Sequence, residues 1–192
     1  MTTVFVAGSR AITRLNSEVR ERLDNMMRQN FTVLVGDANG ADKAMQQYLH
    51  QCGYREVRVY CMETCRNNVG QWPAKLHTAK PSAKRDRHYY GIKDAAMAED
   101  ATCGFMLWDG ESKGTLTNVV NLLNAHKKCL LYLSPKRLFF KLLAPDDIYR
   151  ALRTIGIDDI QELLRSIGIR ESVPTERHLQ SPVNSTSSRQ NA

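Results

Sequence analysis

No apolar run in this chain approaches the roughly 20 residues that a membrane-spanning helix needs, so no membrane partner is expected. The N-terminus passes straight into a strand-like run, Val4-Phe5-Val6-Ala7, without the charged region and long apolar stretch of a secretory signal, which predicts a cytoplasmic setting. No Gly-x-Gly-x-x-Gly occurs, which argues against an ordinary nicotinamide dehydrogenase. Nor does the Gly-Lys-Ser/Thr order of a Walker loop occur. Cysteine is sparse, and its five copies form no disulfide-framework spacing, so reduced thiols are expected. Cys61 and Cys65 with His77 and His88 allow a metal site, but Cys52, Cys103 and Cys129 lie in apolar contexts and read as core. No metal and no cofactor is predicted.

Acidic residues are the minority, 20 against 27 basic, which leaves a formal charge of +7 and favours an anionic partner. The excess is local. Lys80, Lys84, Arg85, Arg87 and Lys93 fall in one stretch, and Lys127, Lys128, Lys136, Arg137 and Lys141 in another. Such clusters serve as a solvated surface, as phosphate contacts or as a nucleic-acid footprint.

What is present alternates. Val4–Ala7, Phe31–Val35, Val57–Cys61, Cys103–Trp108 and Cys129–Leu133 read as five strands. Between them lie helical spacings at Ser17–Gln29, with Ser17 as the cap, Ala41–Cys52, Ile92–Ala101 and Thr115–His126. This pattern predicts an α/β, Rossmann-like, doubly wound parallel sheet of about five strands in the order 3-2-1-4-5. Residues 62–92 show no period and read as a long functional loop in which a short helix has room. Residues 1–142 form the expected nucleotide-binding domain. A helical extension follows over 143–171, where Asp147–Ile157 is echoed twelve residues later by Asp159–Ile169. Each copy has an Asp to cap its start and a Gly to end it, and docks in cis or, over 145–170, makes a homo-oligomer. Residues 172–192 are polar and predicted to be disordered.

Three glycine-bearing segments stand where strands hand over to helices. Gly8-Ser9-Arg10 offers close backbone approach, a hydroxyl and a planar guanidinium. In the second, Gly36 and Gly40 permit a tight turn, Asp42 opens a helix, and Asp37 either accepts from a ribose hydroxyl or base or caps the turn. In the third, Gly110 and Gly114 bracket Glu111, Ser112 and Lys113, after Asp109 and before Thr115. Backbone amides, two hydroxyls and an ammonium there suit a phosphate at a helix N-terminus. In a parallel sheet all three loops converge on one crevice, between the first and fourth strands. The 62–92 insert is placed over it as a lid, with Trp72 or Tyr89/Tyr90 stacking a base and Arg85 or Arg87 gripping phosphate. Trp72 fits equally well in the core.

Taken together, Val-Phe-Val-Ala-Gly-Ser-Arg, Val-Gly-Asp-Ala-Asn-Gly-Ala-Asp, Lys93-Asp94-Ala95-Ala96-Met97-Ala98 and Gly-Glu-Ser-Lys-Gly-Thr resemble the SLOG superfamily over about residues 3–134. This Rossmann-like group includes the DNA-processing protein DprA and the cytokinin-activating "lonely guy" phosphoribohydrolases. The chain is most similar to its small bacterial Gly-Ser-Arg members. The resemblance implies that nucleotides or nucleotide derivatives such as ADP-ribose or NAD-like molecules are bound, in some members with cleavage of an N-glycosidic bond, and in related domains as sensors in anti-phage defence. Two departures matter. The family's Arg-Asn reads Lys93-Asp94 here, and the family's catalytic Glu position holds Asn118. A carboxylate is what attack on C1′, or support of its positive charge, requires. Asp109 or Glu111 is left to substitute. Binding or sensing of a nucleotide-derived ligand, possible in a defence or stress setting, is therefore the first expectation. An N-glycosidase is the alternative, and a DprA-related nucleic-acid-binding protein the second alternative.

Overall fold

The computed structural model of the chain describes residues 1–80, 82–154, 156 and 160–167. Apolar runs with β-branched and aromatic residues become strands that are buried on both faces. They are β1 (Thr3–Gly8), β2 (Thr32–Gly36), β3 (Val57–Met62), β5 (Cys103–Trp108) and β6 (Cys129–Leu133), with β4 (Ala74–His77) and β7 (Leu138–Leu142) added. Helices α1 (Ser17–Arg28), α2 (Ala41–Gln51), α3 (Arg87–Asp100), α4 (Lys113–Asn124), α5 (Asp146–Thr154) and α6 (Ile160–Ser166) complete the order.

The seven strands lie in the order β4-β3-β2-β1-β5-β6-β7. All pairings are parallel except β6 with β7. Strand number and order thus differ from the five-strand expectation by one strand at each edge. β4 escaped the periodic reading because it has only four residues and is largely exposed, so no apolar face marks it. β7 returns antiparallel because the short turn Ser134–Lys136, closed by Arg137 at φ 53°, leaves no length for a crossover.

Alternate residues of each strand feed two cores. Val4, Val6, Val33, Val35, Phe105 and Leu107 pack under α1 and α2 with Leu23, Met45 and Leu49. Phe5, Ala7, Met106 and Trp108 pack on the other face with Met97, Leu116, Val119 and Leu122. Ile148 and Leu152 of α5 and Leu164 of α6 join that second core, so the extension docks in cis. The Asp147 carboxylate accepts from the amides of Leu143 and Ala144 at 2.7 and 3.0 Å and turns the chain from β7 into the helix. Parts of the twelve-residue echo, and the predicted disordered tail at 172–192, lie outside the described residues.

Three local expectations are corrected. Asn16, not Ser17, caps α1, its side chain accepting from the Val19 amide at 3.2 Å. α3 starts at Arg87 rather than near Ile92, with the Asp86 carboxylate accepting from the Tyr89 amide at 3.1 Å. Cys61 and Cys65 are joined by a disulfide rather than reduced. Glu63, at φ 52°, folds the chain back after β3 and brings the two Cα atoms to 5.0 Å, within bridging range. Of the other cysteines, Cys129 is buried but Cys52 is exposed where α2 ends, so it is not a core residue. No helix among the described residues is long and apolar enough to cross a membrane.

Candidate functional site

The C-terminal ends of β1 and β5 are adjacent, and the helices that follow these two strands, α1 and α4, pack on opposite faces of the sheet. A cleft of about 530 Å³ opens there, in the size range of small-molecule sites. Of the residues expected to meet a ligand, it is lined by Gly8, Arg10, Asp42, Lys93, Ser112, Lys113, Gly114, Thr115 and Asn118, and by the lid candidates Arg85 and Arg87. Arg66, Asp86, Tyr90 and Asp94 line it as well and were not among the predicted ligand contacts, apart from Tyr90 as a stacking candidate.

Ser9, Gly36, Asp37, Gly40, Asp109, Gly110 and Glu111 are not among the residues that line it. The Asp109 carboxylate is fully engaged. It accepts from the Ser9 hydroxyl, from the Glu111 amide at 3.1 Å and from the Ser112 amide at 2.8 Å. Burial alone would raise its pKa, but these bonds from Ser9, Ser112 and Glu111 hold it below the usual carboxylate value. Two amides of the third loop are thus taken by the loop's own aspartate, which ties that loop to the end of β1. The Ser112 hydroxyl caps α4, accepting from the Thr115 amide and hydroxyl at 3.4 and 3.0 Å. Gly8 is required by packing, since a Cβ there would lie 2.5 Å from the Leu107 carbonyl oxygen and 2.8 Å from the Ala41 side chain.

The second loop is organised around buried charge. Asp37 is 1% exposed and is gripped by Arg66, whose Nε and Nη2 donate at 3.1 and 2.7 Å and whose amide donates at 3.0 Å. Burial opposes the Asp37 charge, yet the Arg66 hydrogen bonds and Lys93 keep its pKa low. Asp37 is therefore committed to a guanidinium rather than held out to a ribose. Arg66 also lies over the Tyr90 ring at 4.3 Å, so one arginine joins the β2 loop to α3.

Lys93 is 3% exposed, with Nζ 2.6 Å from Asp94 Oδ1 and 3.9 Å from Asp37 Oδ1. Burial works against its charge, but Asp94, Asp42 and Asp37 together hold its pKa above the ordinary lysine value. Asn118 donates from Nδ2 to Asp94 Oδ2 at 3.4 Å. A carboxylate is therefore present in the cleft, on α3 beside Asn118 instead of on α4.

Asp42 is buried at the edge of the cleft, and desolvation pushes its pKa up to about 7, partly offset by Lys93 and reinforced by Asp94. The folded value exceeds the unfolded one of 3.8, so the native state holds the proton more tightly and stability is lost as pH rises between about 4 and 7. Asp42→Asn removes that titration. The urea midpoint of the wild type is expected to fall between pH 5 and pH 8 relative to that of the variant. Parallel profiles would show that Asp42 titrates normally.

The lid expectation is redistributed. Trp72 is a core residue, packed with Leu49 and Val59, with its indole N–H donating to the Tyr54 carbonyl at 2.9 Å. Tyr89 is buried and packs edge-on against Tyr90 at 5.0 Å, and Tyr90 is the aromatic face in the cleft. Arg87 reaches from the start of α3 to α4, donating to the Thr117 hydroxyl and to the Lys113 carbonyl at 3.3 Å.

Six basic side chains line the cleft (Arg10, Arg66, Arg85, Arg87, Lys93 and Lys113) against three carboxylates (Asp42, Asp86 and Asp94). Arg66, Arg85 and Lys93 are paired with Asp37, Glu63 and Asp94. Arg10, Arg87 and Lys113 make no ion pair among the described residues; Lys113 begins α4, Arg87 reaches its first turn, and Arg10 lines the same cleft from the loop after β1. A second cavity, about 700 Å³, opens beside the cleft between α3 and α4, and Asp86, Arg87, Asp94, Gly114 and Asn118 line both. Its wall includes Gly91, a mid-helix glycine that costs about 1 kcal/mol relative to alanine. No atom lies within 4 Å of where a Gly91 Cβ would stand, so packing does not demand glycine there. Compared with known proteins, the chain matches no protein-family model and no curated sequence.

Proposed function

We propose that this protein binds a nucleotide-derived anion, with its phosphate at the N-terminus of α4 and its base or ribose toward Tyr90. One observation carries this reading: Arg10, Arg87 and Lys113, none of them in an ion pair among the described residues, line one cleft at the junction of β1 and β5 and the N-terminus of α4. Lone cations on a flat surface are screened by salt, but cations grouped in a cleft focus an anion. The Gly114 backbone and the Tyr90 ring add hydrogen bonding and a stacking face.

The test is calorimetric titration of ADP into wild type and into an Arg10→Ala, Lys113→Ala double variant. Both side chains are exposed, so the fold should survive their loss. Each charged hydrogen bond contributes about 1.5–3 kcal/mol, so binding should weaken by about a hundredfold or more. Equal affinity in the two proteins would remove the reading.

A second reading, N-glycosidic cleavage, is favoured by the Asp94 carboxylate beside Asn118 in the same cleft. In that reaction the C1′–N bond breaks, water supplies the new C1′–O bond, and its proton passes to the departing base while Asp94 supports the charge at C1′. Chromatography of the same incubations, with a nucleoside monophosphate added, distinguishes the two. Free base that disappears in Asp94→Asn supports cleavage, and none above a buffer control leaves binding alone.

A further inference from the structure

The Cys61–Cys65 disulfide closes a ring over a sequence separation of 4, joining the end of β3 to the loop after it. A link so short removes little freedom from the unfolded chain, so its main consequence is local geometry. That geometry belongs to the cleft. Inside the ring, Glu63 holds φ 52°, a region that residues with a Cβ seldom adopt. The Glu63 amide donates to the His77 carbonyl at 2.8 Å, and its carboxylate pairs with Arg85 at 3.0 Å. Arg66 follows the ring directly. Its amide, Nε and Nη2 all donate to the buried Asp37, and its guanidinium covers Tyr90. Two of the basic side chains that line the cleft, Arg66 and Arg85, are therefore placed through this ring. The bond is reachable from one side, since Cys61 is fully buried and Cys65 only partly so.

We propose that the Cys61–Cys65 pair is a site of reversible thiol–disulfide exchange with a dithiol, and that its oxidised form holds the cleft in the anion-binding arrangement. This rests on the cleft being the ligand site and adds a regulation of that site. In the first exchange a thiolate bonds to Cys65 Sγ, the S–S bond breaks, and the Cys61 sulfur leaves and takes up a proton. In the second, the other thiolate of the dithiol displaces Cys65, which is protonated in turn, and the dithiol becomes a disulfide. Two electrons and two protons pass to the protein. With the ring open, Glu63 is released from its turn and Arg66 holds Asp37 from a looser segment. The Arg66–Asp37 bonds remain as a tether, so affinity falls while the fold stays intact.

ADP titration of a Cys52→Ser protein, which lacks the exposed thiol at the end of α2, tests this in oxidised and in reduced dithiothreitol. Alkylation of the denatured protein should count two thiols, Cys103 and Cys129, in the first state and four in the second. The oxidised form should bind ADP about fivefold or more tightly, the gain that a preorganised site brings. Adding Cys65→Ser should give the reduced affinity in both reagents. The Arg66 Nε–H resonance, held by Asp37, should broaden on reduction. Four thiols in both states, equal affinity in the two, or a response that survives Cys65→Ser overturns the proposal while the cleft reading stands. Failure of ADP to bind in either state overturns both.

Discussion

Lys93→Met should cost about 3–5 kcal/mol of stability at pH 8, the expected price of stranding buried charge. Lys93 is the cation whose charge supports Asp37, Asp42 and Asp94, and it is 3% exposed. Asp37 keeps its bidentate Arg66. Asp42 makes no ion pair within 4 Å among the described residues; it accepts from the Ala38 amide at 3.3 Å and feels the Lys93 charge at longer range. The loss should therefore fall mainly on Asp42 and should shrink on acidification, as that carboxyl takes up a proton. A double-mutant cycle makes the argument sharper. Adding Asp42→Asn to Lys93→Met should restore part of the lost stability, because Lys93 offsets the buried Asp42 charge through space. Denaturant unfolding at pH 6 and pH 8 measures both effects. A Lys93→Met cost below about 1 kcal/mol, or strict additivity in the cycle, would contradict the role given to this network.

Gly40→Ala should destabilise the fold by about 2–6 kcal/mol and weaken ligand binding together. Gly40 sits at φ 83° and ψ −129°, a conformation that residues with a Cβ adopt only under strain. A Cβ there would also lie 2.3 Å from the Arg10 carbonyl oxygen and 2.4 Å from the Arg10 Cα. The backbone of Arg10 cannot yield like the end of a flexible side chain, so the first loop must move. That loop carries one of the three uncompensated cations of the cleft. Urea unfolding reads the stability and ADP titration reads the displaced guanidinium. A variant with wild-type stability and binding would show that the two loops do not constrain each other.

The parts of this molecule legible in its sequence are those written in local pattern. Val4–Ala7, Val33–Val35 and Phe105–Trp108 are continuous apolar runs because each strand there is buried on both faces. The glycines and Asp42 that follow them announced the loops. What escaped is long-range or unpatterned. β4 is four residues with three exposed side chains, and nothing local distinguishes it from the loop around it. Arg66 is clamped to Asp37 from 29 residues away, in a stretch without period. Tyr90 and Asp94 did carry a signal, since they are four apart on α3 and share a face. That signal appears only once the helix is begun at Asp86 and Arg87. Asp109, a carboxylate at a strand end, accepts from Ser9 and two amides, partners that no local pattern in the sequence announces.

A nucleotide-derived anion is proposed to sit where the first and third loops meet the N-terminus of α4. Isotope-labelled protein titrated with ADP and followed by amide chemical shifts locates it. Saturable shifts are expected at Gly8, Arg10, Gly114, Thr115 and the α3 turn bearing Tyr90 and Asp94. Absence of shifts at these amides up to millimolar ADP, or saturable shifts confined to another surface, would contradict it.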